Sequence, residues 1–528
     1  MHQVLSRATA HPVASQAYKH SWPAIPRTYN ASALYSPTPI VISRDPIGQK
    51  LSRNSVSRSE FSLRRIVNMR IETEKPLWQY TASELGAAYR HGRAKPSQVI
   101  EAVLVRAGHI DPVLNLFAVL DAEGARQAAR ESDARFAANT PLGDFDGIPI
   151  TIKDNIPVKD LQLAWGSALY KGQIAEKDET PVERLRAQGA VILGKTNVSE
   201  FTLGRGNVNT LAFGVTRNPY DPALTSGAST GGGAAATAAG VGTVAIGTDG
   251  GGSIRRPASY NNLVGLKPST GRVARVNGLP PILGDFEIIG PLARTVDDLA
   301  LALSAIEGPD AHDRASYGFS KGGVEPVRRG QKVLFVREVA GMTVEEPIAA
   351  SVAEVADNLR ALGFVVEDGP APFDAVLFEK HWPVMGATGL AWLLKDTDWE
   401  GKVGAPYPPM IEKGRALTAV EFFDALMAYR SVYEQFARAF DTYDLVLTPA
   451  AGAMPWKAED FAPPYHRAFT GFVNAAGLPA ISIPSSPSAS GMPIGFQLIA
   501  PFGADWSLVS IAKLYEEAHP WIQNAPAI

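Results

Sequence analysis

The chain has 528 residues, 45% hydrophobic and 20% charged, with a formal net charge of −3. This is the composition of a globular protein with ample core, and it gives no electrostatic case for binding nucleic acid or an anionic membrane. The absence of cysteine excludes disulfides, thiolate metal sites and a cysteine nucleophile. Histidines in HExxH spacing are missing too, which leaves a zinc hydrolase without support. Nor is there an apolar run of 18 residues to suggest a transmembrane helix.

Residues 1–68 stand apart. They hold nine Lys/Arg against two acids, Asp45 and Glu60, and are rich in serine and proline. They show no sustained hydrophobic periodicity, so a disordered N-terminal extension is expected. The Arg- and Ser-rich, acid-poor composition also suits an organellar transit peptide. A further reading makes Met69 the natural start. No repeat or low-complexity linker divides residues 69–528, which read as one domain.

From Thr81 the chain becomes orderly. Thr81-Ala82-Ser83-Glu84 is a capping box that opens a helix. Val99, Ile100, Val103 and Leu104 follow Pro96-Ser97 at helical spacing, and 122–138 predicts another helix. A short buried strand over 148–152 ends at Lys153. Thr180-Pro181-Val182-Glu183 starts a helix, with proline at N1 and an acid in the first turn. Buried strands are expected over 190–193 and 243–247, the second leading to Ser253. After about residue 305 come a strand (332–336), a helix (345–362), a strand (364–366) and a long helix (419–440). Strands follow over 444–448, 480–483 and 493–499, and Trp506, Leu508, Ile511 and Leu514 mark a last amphipathic helix. Short apolar runs alternating with helices predict an α/β fold with a sheet covered on both faces.

The stretch 225–253 concentrates small residues. Two loops each present a hydroxyl: Gly227-Ala228-Ser229-Thr230-Gly231-Gly232-Gly233, and Gly250-Gly251-Gly252-Ser253. Successive backbone N–H groups in such turns form a nest for negative charge, so a serine ending the nest has a nucleophile and an oxyanion hole in one loop. Lys153 closes an apolar strand, a position that implies burial and a readily lost proton. Two other patterns are weaker. Gly189 to Thr196 matches a Walker A expression, but its middle residues form the most apolar run nearby and read as strand, so Lys195 is structural. The first loop also matches G-x-S-x-G, but Asn218-Pro219-Tyr220-Asp221-Pro222 before it is a turn and not a nucleophile-elbow strand.

Three ordered motifs resemble the amidase signature of the Ser–cis-Ser–Lys amidohydrolases. They are Gly147-Ile148-Pro149-Ile150-Thr151-Ile152-Lys153-Asp154-Asn155, the 225–253 stretch, and Gly252-Ser253-Ile254-Arg255-Arg256-Pro257-Ala258 leading to Gly265-Leu266-Lys267-Pro268. The resemblance implies a single large α/β/α sandwich around a mixed, mostly parallel sheet. It also implies amide hydrolysis with Ser253 as nucleophile, Ser229 as bridging serine after a cis peptide bond, and Lys153 as base. The N–H groups of Gly250, Gly251, Gly252 and Ser253 would form the oxyanion hole. Asp249 and Arg255 would brace the loop. Thr230 stands where a second serine is usual, and Ala228 where glycine is usual.

Neither a metal nor a cofactor is called for. The expected partner is a small-molecule amide (an aryl amide, carbamate or ester being variants), with no nucleic acid or membrane. A cytoplasmic location is expected, and a homodimer is the assembly allowed for. Candidate pocket residues are Trp165, Tyr170, 279–285, Trp382, Trp392, Trp456 and Phe472. The alternative function is the glutamine-hydrolysing component of a tRNA-dependent amidotransferase, although 412–433 does not look like that subgroup.

Overall fold

The structure is a computed structural model that describes residues 75–528 apart from 205, 522–524 and 527. The extension expected over 1–68 lies outside the described residues. Thirteen strands occur among them: β1 (Phe117–Leu120), β2 (Pro149–Lys153), β3 (Val191–Thr196), β4 (Asn209–Thr210), β5 (Gly214–Val215), β6 (Val244–Asp249), β7 (Val264–Lys267), β8 (Ile288–Ala293), β9 (Lys332–Phe335), β10 (Val365–Asp368), β11 (Leu445–Pro449), β12 (Ala480–Pro484) and β13 (Gly495–Ile499). Eleven form one sheet in the order β1-β3-β2-β6-β8-β7-β12-β13-β11-β9-β10, while β4 and β5 make a small hairpin.

Helices flank this sheet, as the alternating pattern predicts. The sheet is mixed, and its parallel pairing is confined to two blocks, β3-β2-β6 and β11-β9-β10. All other neighbours are antiparallel, so the expectation of a mostly parallel sheet holds only within those blocks. The reason is local at β12 and β13, where a connection over 485–494 is too short for a crossover and returns the chain antiparallel.

Strands β2, β3 and β6 are buried at every position, which is why they read as unbroken apolar runs. In register, Ile150 faces Val244 and Ile152 faces Ile246. The two strands therefore end side by side, at Lys153 and at Thr248-Asp249.

Several helices begin where their caps predict. The Thr81 hydroxyl accepts from the Glu84 N–H at 3.1 Å, and the Glu84 carboxylate accepts from the Thr81 N–H at 2.8 Å. Thr418 and Glu421 make the same reciprocal pair ahead of the helix Ala419–Ala439. The helices Ala375–Leu393 and Tyr407–Ala416 have no counterpart in the sequence reading. Pro383 lies inside the first and proline opens the second, and both features blur a helical signal. One core cluster packs against the β2-β6 region; another, rich in phenylalanine, joins Phe378, Phe436 and Phe472 from the later helices.

Candidate active site

The ends of β2 and β6 carry the site. The helix Gly231–Ala238 packs against both strands and starts just after Ser229-Thr230. The glycines 231–233 therefore form a helix's first turn and do not extend the preceding loop. Space explains them. A Cβ on Gly232 would sit 2.5 Å from the Asn197 carbonyl oxygen and 2.7 Å from that of Leu116. Ahead of this helix, the Ala228–Ser229 peptide bond is cis.

Lys153 is fully buried. Its Nζ lies 2.8 Å from Ser229 Oγ, 2.7 Å from Thr248 Oγ1 and 3.0 Å from the Thr248 carbonyl oxygen. Burial lowers its pKa to about 7, against the nearby charges of Glu287 and Asp249, which favour the ammonium form. Thr230 ties the two loops together. Its N–H donates to the Ser253 carbonyl at 3.1 Å, and its hydroxyl donates to the Thr248 carbonyl at 3.2 Å. Ser229 and Ser253 line the same cavity without a direct hydrogen bond between their hydroxyls.

Asp249 organises the loop that carries Ser253. Its carboxylate accepts from the N–H groups of Gly252 at 2.6 Å, Ile254 at 3.0 Å and Arg255 at 3.3 Å. It also accepts from the Arg255 guanidinium at 2.9 and 3.0 Å and from Asn474 Nδ2 at 2.9 Å. These donors hold its pKa well below the usual carboxylate range, although burial opposes them. Arg255 is fully buried and reaches Gln497 and Asn474 as well, both at 2.6 Å. Asp249 and Arg255 thus form a buried clamp and not a surface pair.

One expectation is corrected here. The Gly252 N–H is engaged by Asp249 and so leaves the expected oxyanion set. The N–H groups of Gly250, Gly251 and Ser253 find no protein acceptor among the described residues. Gly252 has φ +110°, a conformation that suits glycine.

The cavity beside Ser253 has a volume of about 410 Å³. Its apolar wall includes Leu203, Leu283, Phe286, Trp382 and Met385. Arg256, Lys413 and Arg467 also line it, and among the described residues no aspartate or glutamate does. Of the candidate pocket residues, Trp382 and Leu283 take this position. Trp165, Tyr170 and Leu279 line a separate cavity. Trp392 is exposed, Phe472 belongs to the phenylalanine cluster, and Trp456 packs edge-on against Tyr260. Lys195 is buried on β3, donating to the carbonyls of Asp154 and Gln162, in keeping with a structural role. Asn155 and Thr248 sit inside the motifs, where nothing in the sequence distinguishes them from their neighbours. Glu287, Thr470, Asn474 and Gln497 carry no motif, so no sequence signal points to them.

Fold and sequence together place the chain among hydrolases that act on carbon–nitrogen bonds. Residues 98–509 match the Amidase family model, and the chain belongs to that family. It is 33% identical over 488 residues to the A component of the glutamyl-tRNA(Gln) amidotransferase of Symbiobacterium thermophilum, covering 85% of this chain and 98% of that one. To the component of the same name from Thermosynechococcus vestitus it is 32% identical over 469 residues, covering 82% and 96%. Among solved structures it resembles a bacterial aryl acylamidase of the amidase signature family (TM-score 0.78, 25% identity, covering 85% of this chain and 98% of that one). It also resembles 6-aminohexanoate cyclic dimer hydrolase in complex with substrate (TM-score 0.74, 27% identity, covering 85% and 99%). Among the described residues no helix is long and apolar enough to cross a membrane.

Proposed function

We propose that the chain hydrolyses a small carboxylic amide through an acyl-enzyme on Ser253. Neutral Lys153 takes the proton of Ser229, Ser229 takes that of Ser253, and Ser253 Oγ attacks the amide carbonyl. The N–H groups of Gly250, Gly251 and Ser253 stabilise the oxyanion. As the tetrahedral intermediate collapses, the C–N bond breaks and Ser229 returns the proton to the departing amine. Water then attacks the ester by the same relay and releases the acid. The observation that carries this reading is the buried, 2.8 Å Lys153–Ser229 contact beside a serine-tipped glycine loop.

The cavity lining supports an acyl or amine group that is largely apolar and bears no free ammonium, since cations line the cavity and, among the described residues, no carboxylate does. The second reading is glutamine hydrolysis as part of an amidotransferase. The names of the relatives at 32–33% identity favour it over the first. The apolar wall of Leu203, Leu283, Phe286, Trp382 and Met385 supports the first, whereas Arg256 and Lys413 suit either an apolar amide without an ammonium or the α-carboxylate of glutamine. A panel of p-nitroacetanilide, phenylacetamide, a carbamate, a nitrophenyl ester and glutamine separates them. Turnover of the anilide or apolar amide without ammonia release from glutamine is expected. Faster turnover of glutamine would establish the second reading in place of the first.

A further inference from the structure

We infer that Glu287, acting through the Thr248 hydroxyl, is a positioning residue that turns the lone pair of Lys153 toward Ser229. This rests on Lys153 being the base. A neutral amine has two N–H donors and one lone pair. The Thr248 carbonyl can only accept, so it takes one N–H, at 3.0 Å. The Thr248 hydroxyl, at 2.7 Å, could do either. If it donated to the amine it would occupy the lone pair and silence the base. Glu287 decides the direction. Its Oε1 lies 2.8 Å from Thr248 Oγ1 and accepts the hydroxyl's proton. The Thr248 oxygen is then left to accept from Lys153, and the amine's remaining position, the lone pair, faces Ser229 Oγ at 2.8 Å.

Glu287 is itself held in place. Asn155 Nδ2 donates to both Glu287 Oε1, at 3.3 Å, and Thr248 Oγ1, at 3.1 Å. Arg275 donates to the Glu287 carbonyl at 3.0 Å, pairs with its carboxylate at 4.0 Å, and is anchored on Glu179 at 2.7 Å. The charged groups acting on Lys153 are Glu287 and Asp249, which favour its protonation, and Arg275, which opposes it. Asp249 is committed to the Arg255 clamp, so Glu287 is the only one of these charges hydrogen-bonded to a partner of the lysine.

A merely structural glutamate would change the amount of active protein and leave the pH profile in place. A positioning carboxylate does more. Without its charge Lys153 loses its proton at lower pH, so the acid limb moves down by about one unit. Without the hydroxyl the amine is free to turn, so the plateau falls by about tenfold, the scale of one misdirected charge-assisted hydrogen bond.

The test follows the rate of Ser253 labelling by a fluorophosphonate from pH 5 to 10 in the full chain, which needs no knowledge of the natural substrate. Glu287→Gln should shift the acid limb to lower pH. Thr248→Val should lower the plateau, and Thr248→Ser should recover most of that loss. Circular dichroism checks that each variant is folded. A folded Glu287→Gln chain whose limb superimposes on the wild type, or a Thr248→Val chain with an undiminished plateau, would overturn the inference. Labelling on a serine other than Ser253 would instead overturn the reading of the site on which it rests.

Discussion

Burial fits Lys153 for the role of base that we propose for it. In water its amine would be almost wholly protonated at neutral pH. Here desolvation lowers its pKa to about 7, and the form that can accept a proton is the one that persists above that value. Activity should therefore be lost as pH falls below about 7 and reach a plateau above it. Lys153→Arg should not restore function, because a guanidinium keeps its proton in a protein. A Lys153→Arg enzyme with wild-type kcat/KM would remove the lysine from the mechanism. Ser253→Ala should lower kcat by roughly 10⁴-fold or more with the fold intact, and mass spectrometry should find the acyl adduct on Ser253 and not on Ser229. The proximity of Lys153 to Ser229, and the cavity that Ser229 shares with Ser253, join residues that the sequence singles out, because each lies in a contiguous motif whose neighbours advertise it. Glu287 and Asn474 are not legible in this way: Glu287 is 39 residues from its partner Thr248 and Asn474 is 225 from Asp249, and only the fold brings them together.

At the scale of elements, the strands that carry the site announced themselves by unbroken apolar runs, and the capped helices by their caps. The sheet order did not, since neighbours such as β7 and β12 are joined by no local pattern. The helices that wall the cavity were also missed, because proline interrupts one and opens the other. The proposed oxyanion set is one residue narrower than the glycine run implied, because a run of glycines does not reveal which N–H the neighbouring Asp249 carboxylate has taken. The helix Gly231–Ala238 offers a test of packing at this scale. Gly232→Ala would push a methyl against two backbone carbonyls that belong to separate segments. It should cost about 1–3 kcal/mol in stability, the usual scale of overpacking, read as a lower denaturation midpoint in urea. An unchanged midpoint would show that these segments yield more easily than the close approach implies.

Among the described residues, three lysines are buried with lowered pKa values: Lys153 and Lys267 to about 7 and Lys195 to about 8. Between pH 7 and about 10 the unfolded chain binds more protons at these sites than the folded one, so stability should rise with pH across that window. The contribution is complete above the unfolded value near 10.5 and is lost as pH falls to about 7. Tm should thus be higher at pH 9 than at pH 7, and Lys267→Met should shrink the increment. A flat or falling Tm in the wild type would contradict the burial of these amines. We also propose that residues 69–528 make up the catalytic domain, because every described strand and helix of sheet and site lies between Leu77 and Ala518. A chain beginning at Met69 should express in soluble form with its kcat/KM intact, and failure to do so would count against that boundary.

The cavity adds a consequence of its own. The groups proposed to react come from 153–253, whereas Trp382, Met385, Lys413 and Arg467 arrive from much later in the chain. Substitutions at Trp382, Met385 or Met410 should therefore alter which amides the cavity admits while leaving the Lys153–Ser229 contact in place.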